Sequence, residues 1–298
     1  YDLPMTTRCA KPCLAAGLAL LIWPLALGAE TAEERGDRSF RQRGTGFKTG
    51  GVPDPEPIAA AVAAYEEAVG NDPDNLLLIF KLLQALYFQG YHVADDKKLQ
   101  REIYQRLVDQ TTRALKLVTD RTGQTEGFDE LPLERQAELV SAVPGAAEAH
   151  FWAATSWGLW GMTHNPIKAL RHGVGSKVRD HSSLHTLIDE PHRDAAGLRM
   201  LGRMHTEAPK VPFVTGWVDR KQGLAMLRRA VEISRRDPRN LLFLAEGILE
   251  YEPKNRRDAI DLLCEIAARE PDPEELVEHS ESLEMARVQL DELNETDC

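Results

Sequence analysis

Nine histidines and four cysteines are the residues here with the widest chemical reach, and their spacing decides what chemistry they can do. His181 and His185 stand four apart with Asp180, Asp189, Glu190 and His192 close by, while His164, His172 and His205 fall in the same half of the chain. Zinc requires such nitrogen and oxygen ligands converging on a tetrahedron. The run His181-Ser182-Ser183-Leu184-His185 lacks the Glu that a zinc protease helix places directly after its first His, and it reads as loop. No metal and no cofactor is expected, and a metal-dependent enzyme built on His181, His185 and His205 is the third of three readings. No Gly-x-Ser-x-Gly elbow is present, neither Cys264 nor Cys298 has an evident His partner, and Gly173-Val174-Gly175 does not follow a strand. The chain therefore reads as a non-enzyme with no catalytic residues. Cys264 lies on an apolar stripe with Leu262, Leu263 and Ile266 and reads as a buried hydrophobe. Cys298 is placed to form an intermolecular disulfide in an oxidising compartment.

Aromatic residues offer binding rather than catalysis. Trp152, Trp157 and Trp160 share one predicted helix with Phe151. The rings of Trp152 and Trp160 project from adjoining sides, and Trp157 and Trp160, three apart, are neighbours. Phe213 and Trp217 sit in a Pro-rich loop, and His205 closes a helix, where a partly charged imidazole suits the C-terminal dipole. Trp152, Trp157, Trp160, His205, Phe213 and Trp217 are thus the candidate ligand- or partner-binding residues. The competing use of the aromatic ones is packing between helices.

The elements that must position them are helical. From Ile58 onward apolar residues recur at three- and four-residue spacing, with no sustained alternation. Pro73, Pro144, Pro191, Pro238 and Pro273 each stand where an amphipathic helix begins, most of them behind an acidic residue able to cap it. The segment Asp72-Pro73-Asp74-Asn75-Leu76-Leu77 is echoed by Asp237-Pro238-Arg239-Asn240-Leu241-Leu242. The spacing predicts pairs 74–90 with 97–120, 146–162 with 166–174, 192–206 with 219–234, and 238–250 with 255–269, capped by 274–293. Ala85, Ala169, Ala230 and Ala259 would let paired helices approach closely. The expected fold is all-α: a tetratricopeptide-like α-solenoid of about four helix pairs, with loop insertions near 121–143, 175–190 and 207–218 and a C-terminal capping helix. Its domain occupies 57–293, after a flexible charged linker at 30–56 and before a tail at 294–298.

Arg8 and Lys11 precede an uncharged run, 13–29, that ends in small residues. This is a secretory signal peptide pattern, too short to span a bilayer, so residues 1–29 are expected to direct export, with a periplasmic destination. A lipid anchor is disfavoured, because Cys9 and Cys13 stand before or at the start of the run rather than after it. With 47 acidic residues against 36 basic ones and a net charge of -11, nucleic acid is an unsuitable partner. The paired arginines Arg228-Arg229, Arg235-Arg236 and Arg256-Arg257 read as solvated helix faces.

His150-Phe151-Trp152-Ala153-Ala154, then Leu201-Gly202-Arg203-Met204-His205, Gly216-Trp217 and Leu224-Ala225-Met226-Leu227, resemble the TatT-component family of tripartite (TRAP) periplasmic transporters over roughly 57–270. The resemblance implies an all-helical periplasmic accessory protein that docks a transporter's solute-binding protein and has no catalytic residues. The missing lipobox cysteine departs from that family. The expected function is thus a helical-repeat binding protein of a solute uptake system, with room for an apolar ligand. The alternative is a general envelope scaffold for protein–protein interaction without a small molecule. Homo-oligomerisation stays open.

Overall fold

The computed structural model describes residues 30–48, 50–209, 215–295 and 298. The expected signal peptide, 1–29, and Phe213 lie outside the described residues. Among the described residues there are thirteen α-helices and no strand, so the chain is all-α.

The first helix, α1 (Ala32–Arg41), lies where a flexible linker was expected. Thr31 caps it reciprocally: its hydroxyl accepts the Glu34 N–H at 3.2 Å and the Glu34 carboxylate accepts the Thr31 N–H at 2.8 Å. Low apolar content concealed this helix because polar groups fasten it. Asp37 accepts from the Tyr65 hydroxyl at 2.8 Å and from Lys81 at 2.7 Å, and Lys81 also reaches Glu33 at 2.7 Å. Gly36 permits the close approach, since a Cβ there would lie 2.5 Å from the Tyr65 ring.

The chain continues through α2 (Pro55–Asn71), α3 (Leu76–Phe88), a π-turn (Gln89–Val93) and α4 (Lys97–Arg121). After a 3-10 turn come α5 (Leu133–Val140), α6 (Ala146–Met162), α7 (Pro166–Arg171) and α8 (Val174–Ile188). Then follow α9 (His192–Glu207), α10 (Arg220–Ile233), α11 (Pro238–Tyr251), α12 (Arg256–Ala267) and α13 (Leu276–Glu292). Pro238 opens α11 behind the Asp237 cap, whereas Pro73 and Pro144 stand in turns and leave the caps of α3 and α6 to Asn75 and Gly145.

Pairs α3 with α4, α9 with α10 and α11 with α12 pack as predicted. The partner of α6 is α8, not the segment 166–174, and the expected insertions 121–143 and 175–190 contain α5 and α8. Gly173, at φ 63°, ends α7 and starts a new helix. The glycines flanking Val174 imitate a loop in sequence, yet one left-handed residue is enough to redirect the chain. Ala85, Ala230 and Ala259 are buried at helix contacts, while Ala169 stays half-open on α7.

Contacts also run from α3 to α6, α6 to α9, α9 to α11 and α11 to α13, so these helices form one rank, against which α4, α8, α10 and α12 pack. Such serial packing is compatible with a helical repeat array. Its ends meet: the Tyr91 hydroxyl donates to Glu281 on α13 at 3.0 Å, and Arg43 donates to Glu278 at 3.0 Å. One apolar core joins α2, α3, α4 and α6 with Val277 of α13, and a second joins α10 to α13. Helix α9 lies between them. Cys264 of α12 is bonded to Cys298, so neither the buried-hydrophobe reading of the first nor the intermolecular reading of the second holds.

Candidate functional site

Asn240, fully buried, is the point from which the site is built. Its amide nitrogen donates to Ser234 O at 2.8 Å and Asp194 O at 2.9 Å, and its oxygen accepts from Arg199 at 2.9 Å. Arg199 pairs with Asp237 at 3.0 Å, both side chains buried. Burial opposes the charge on Asp237, but Arg199 and Arg239 outweigh it and hold the carboxyl well below its ordinary range. For Arg199, burial dominates over Asp237 and lowers its pKa to about 10.

This network clamps the entrance of α9. Arg193, Asp194 and Ala195 have φ of 50°, 56° and 58°. Outside glycine, a left-handed residue costs roughly 1–2 kcal/mol, so three in succession persist only where the surroundings over-determine them. Asn240 holds the Asp194 carbonyl, the Ser234 hydroxyl donates to the Asp194 carboxylate at 2.7 Å, and Ala195 is sealed in the core. The turn aims His192 and Arg193 at α6.

There Glu148 receives three groups. Arg193 grips it with both guanidinium arms, Nε donating at 2.7 Å; Trp152 Nε1 donates at 2.7 Å; His192 Nε2 stands at 3.4 Å. The Arg193 guanidinium also covers the Phe151 ring at 4.6 Å and the Trp152 ring at 5.3 Å. Glu148, His192 and Arg193 form one wall of a cleft of about 860 Å³, opposite Leu77, Phe80 and Lys81 of α3. The lining is mixed: Leu76, Leu77 and Phe80 supply apolar surface, and Asp72, Asp74, Lys81 and Arg121 add charges beside those of Glu148 and Arg193.

Behind that wall runs a row of paired histidines. His150 and His181 meet through Nδ1 at 3.0 Å, and His185 Nε2 meets His192 Nδ1 at 3.0 Å. If His192 turns its Nε2 proton to Glu148, then His185 donates to it, and the partnerless buried Nδ1 of His185 is an acceptor. Burial first, then the charges of His192, Arg193 and Arg199, lower the pKa of His185 to about 3. Burial lowers that of His181 to about 4, Asp180 opposing. These helical histidines correct the loop reading of 181–185. Among the described residues no three His, Cys, Asp or Glu side chains gather around a metal position.

The sequence-selected residues fall into three groupings. Trp152 is buried, with Tyr87 at 6.0 Å and Phe151 at 5.1 Å, and reaches the cleft only through Glu148 and Arg193. Trp157 and Trp160 meet edge to face at 5.6 Å; Trp160 is buried, donates to Gln105 at 2.8 Å and stacks on His164 at 3.8 Å. Trp217 stands edge-on to His205 at 5.3 Å. His205 Nδ1 accepts the Asp219 N–H at 2.9 Å, and burial outweighs Asp219 to push its pKa down, so it is a neutral acceptor rather than a cation on the helix dipole. Glu148, Arg193, Arg199 and Asn240 carried no sequence signal for a site except the repeated Asp-Pro-x-Asn, in which Asn75 merely caps its own helix.

The fold and the cleft define an all-α protein with a recess lined by α3, α6 and α9. No protein-family model matches the chain, and no curated protein matches its sequence.

Proposed function

We propose that this is a helical-repeat binding protein, an accessory component of a TRAP-type periplasmic solute uptake system, and that a solute-binding protein docks at the cleft of α3, α6 and α9. The observation that carries the reading is the strained α9 turn, which fixes Arg193 against Glu148 at the rim of that recess. Strain persists at positions a protein uses. The TatT-like residues support it: Trp152 donates to Glu148, Phe151 lies under the Arg193 that grips Glu148, His150 pairs with His181 behind them, and Gly202 and His205 serve the contact of α9 with α10. The Cys264–Cys298 bond supports export to an oxidising compartment.

A narrower version adds an apolar ligand among Trp152, Trp157, Trp160, Phe213 and Trp217. Burial of Trp152 and Trp160 favours the second reading, a scaffold for protein partners without a small molecule. Affinity capture from gently cross-linked native envelope, with mass spectrometry of bound proteins and extracted small molecules, separates them. The transporter reading expects a solute-binding subunit in the capture, and a co-extracted apolar ligand lost in Trp217→Ala. Mixed envelope proteins without that subunit would replace it with the scaffold.

A further inference from the structure

At the corner between α6 and α8 lies a surface that the cleft does not use. Helix α7 is six residues long and buries none of them. A helix so short cannot hold itself in water by hydrogen bonding alone. The side chains it shows are apolar: Ile167 is 66% exposed and Leu170 58%, with Met162, at the end of α6, 78% exposed. Three residues apart, Ile167 and Leu170 share one face.

The charges on α7 itself are cationic. Lys168 and Arg171 lie on the same turn, and Arg101 of α4 is tied to Thr163 O at 3.0 Å. Lys177 rests 3.5 Å above the Trp157 ring. Residues 149–179 contain no Asp or Glu, in a chain with 47 acidic residues among 298. A hollow of about 750 Å³ beside α7 has Lys168, Arg171 and His172 on its rim.

From this juxtaposition we infer that the α7 corner docks on an anionic lipid surface, with Met162, Ile167 and Leu170 entering the acyl boundary and Lys168 and Arg171 meeting headgroup phosphates. Interfacial segments combine apolar insertion with flanking Lys and Arg in this way. A stable protein interface needs about 800 Å² from each partner, more than one exposed helical turn supplies. A second copy docked through α7 about a two-fold axis would bring the Lys168 and Arg171 cations of both copies into one interface.

The test is hydrogen exchange of the full chain, read at the amides of α7, on phosphatidylcholine vesicles with and without roughly 30% phosphatidylglycerol. Reading α7 rather than total binding keeps the apolar run 13–29 out of the result. Exchange there is expected to slow at least about fivefold on the anionic vesicles, and to return to its free rate in about 0.5 M salt. Ile167→Ser with Leu170→Ser, and separately Lys168→Glu with Arg171→Glu, should abolish the effect while circular dichroism stays unchanged. Unaltered exchange, or equal protection on neutral vesicles, would overturn the inference. So would protection that needs no vesicles and grows with protein concentration, which would point to a second copy.

Discussion

Asn240 fills its site completely, since its amide nitrogen answers the carbonyls of Asp194, Ala230 and Ser234 and its oxygen one guanidinium in a place without water access. Asn240→Ala removes those partners at once and releases the α9 turn. Urea unfolding should show a loss of about 2–4 kcal/mol, as buried polar groups left unpaired cost on the order of 1–3 kcal/mol each. Trp152→Ala should cost about 3–5 kcal/mol by the same measurement, whereas Trp152→Phe keeps an aromatic ring, gives up the Nε1 bond to Glu148 and should lose less. A Trp152→Ala protein of unchanged stability would return Trp152 to the role of a ligand surface. The tryptophans were visible in the sequence as candidates because their type and spacing are local facts. Glu148, Arg193 and Asn240 were not, because their roles arise from a backbone turn that only tertiary contacts make tolerable.

Among elements, the contact of α6, α8 and α9 carries a pH dependence. His181 and His185 have folded pKa values of about 4 and about 3 against 6.5 unfolded, and His150 is lowered as well. Below pH 6.5 the unfolded chain binds these protons and the folded one does not, so stability is fully present above that pH. It falls as the pH drops toward the folded values, by up to about 1.4 kcal/mol per unit for each histidine. Thermal midpoints should therefore decline between pH 7 and 5, and a His181→Gln variant should show a shallower decline. A flat profile would mean that the histidines are solvated. Helix α13 depends on the bond from Cys264 to Cys298, 34 residues apart. Reduction should lower unfolding free energy by about 2–4 kcal/mol. Long amphipathic helices such as α4 and α11 were legible from periodicity, which burial imposes directly. Helices α1 and α8 were not, because polar anchors, histidine pairs and glycine flanks hold them where an apolar stripe would have been expected.

Across the whole molecule, the two ends of the array are joined through Arg43, whose guanidinium reaches Glu278 and the Glu274 carbonyl while lying 4.5 Å over the Phe40 ring. Arg43→Ala leaves Glu278 half-buried without its cation, and should raise hydrogen exchange in α13 and α1 together; a rise in one alone would show that the ends are independent. The central claim is that a partner docks at the cleft, and Leu77 is the place to ask, being on the cleft wall yet 59% exposed. We would place a photo-cross-linking residue at position 77, and a control at Arg257, a well-exposed side chain on α12, and irradiate in the native envelope. The account predicts a discrete adduct with a solute-binding protein from position 77 and none from position 257. Adducts of equal kind and yield from both positions, or none from 77, would contradict it.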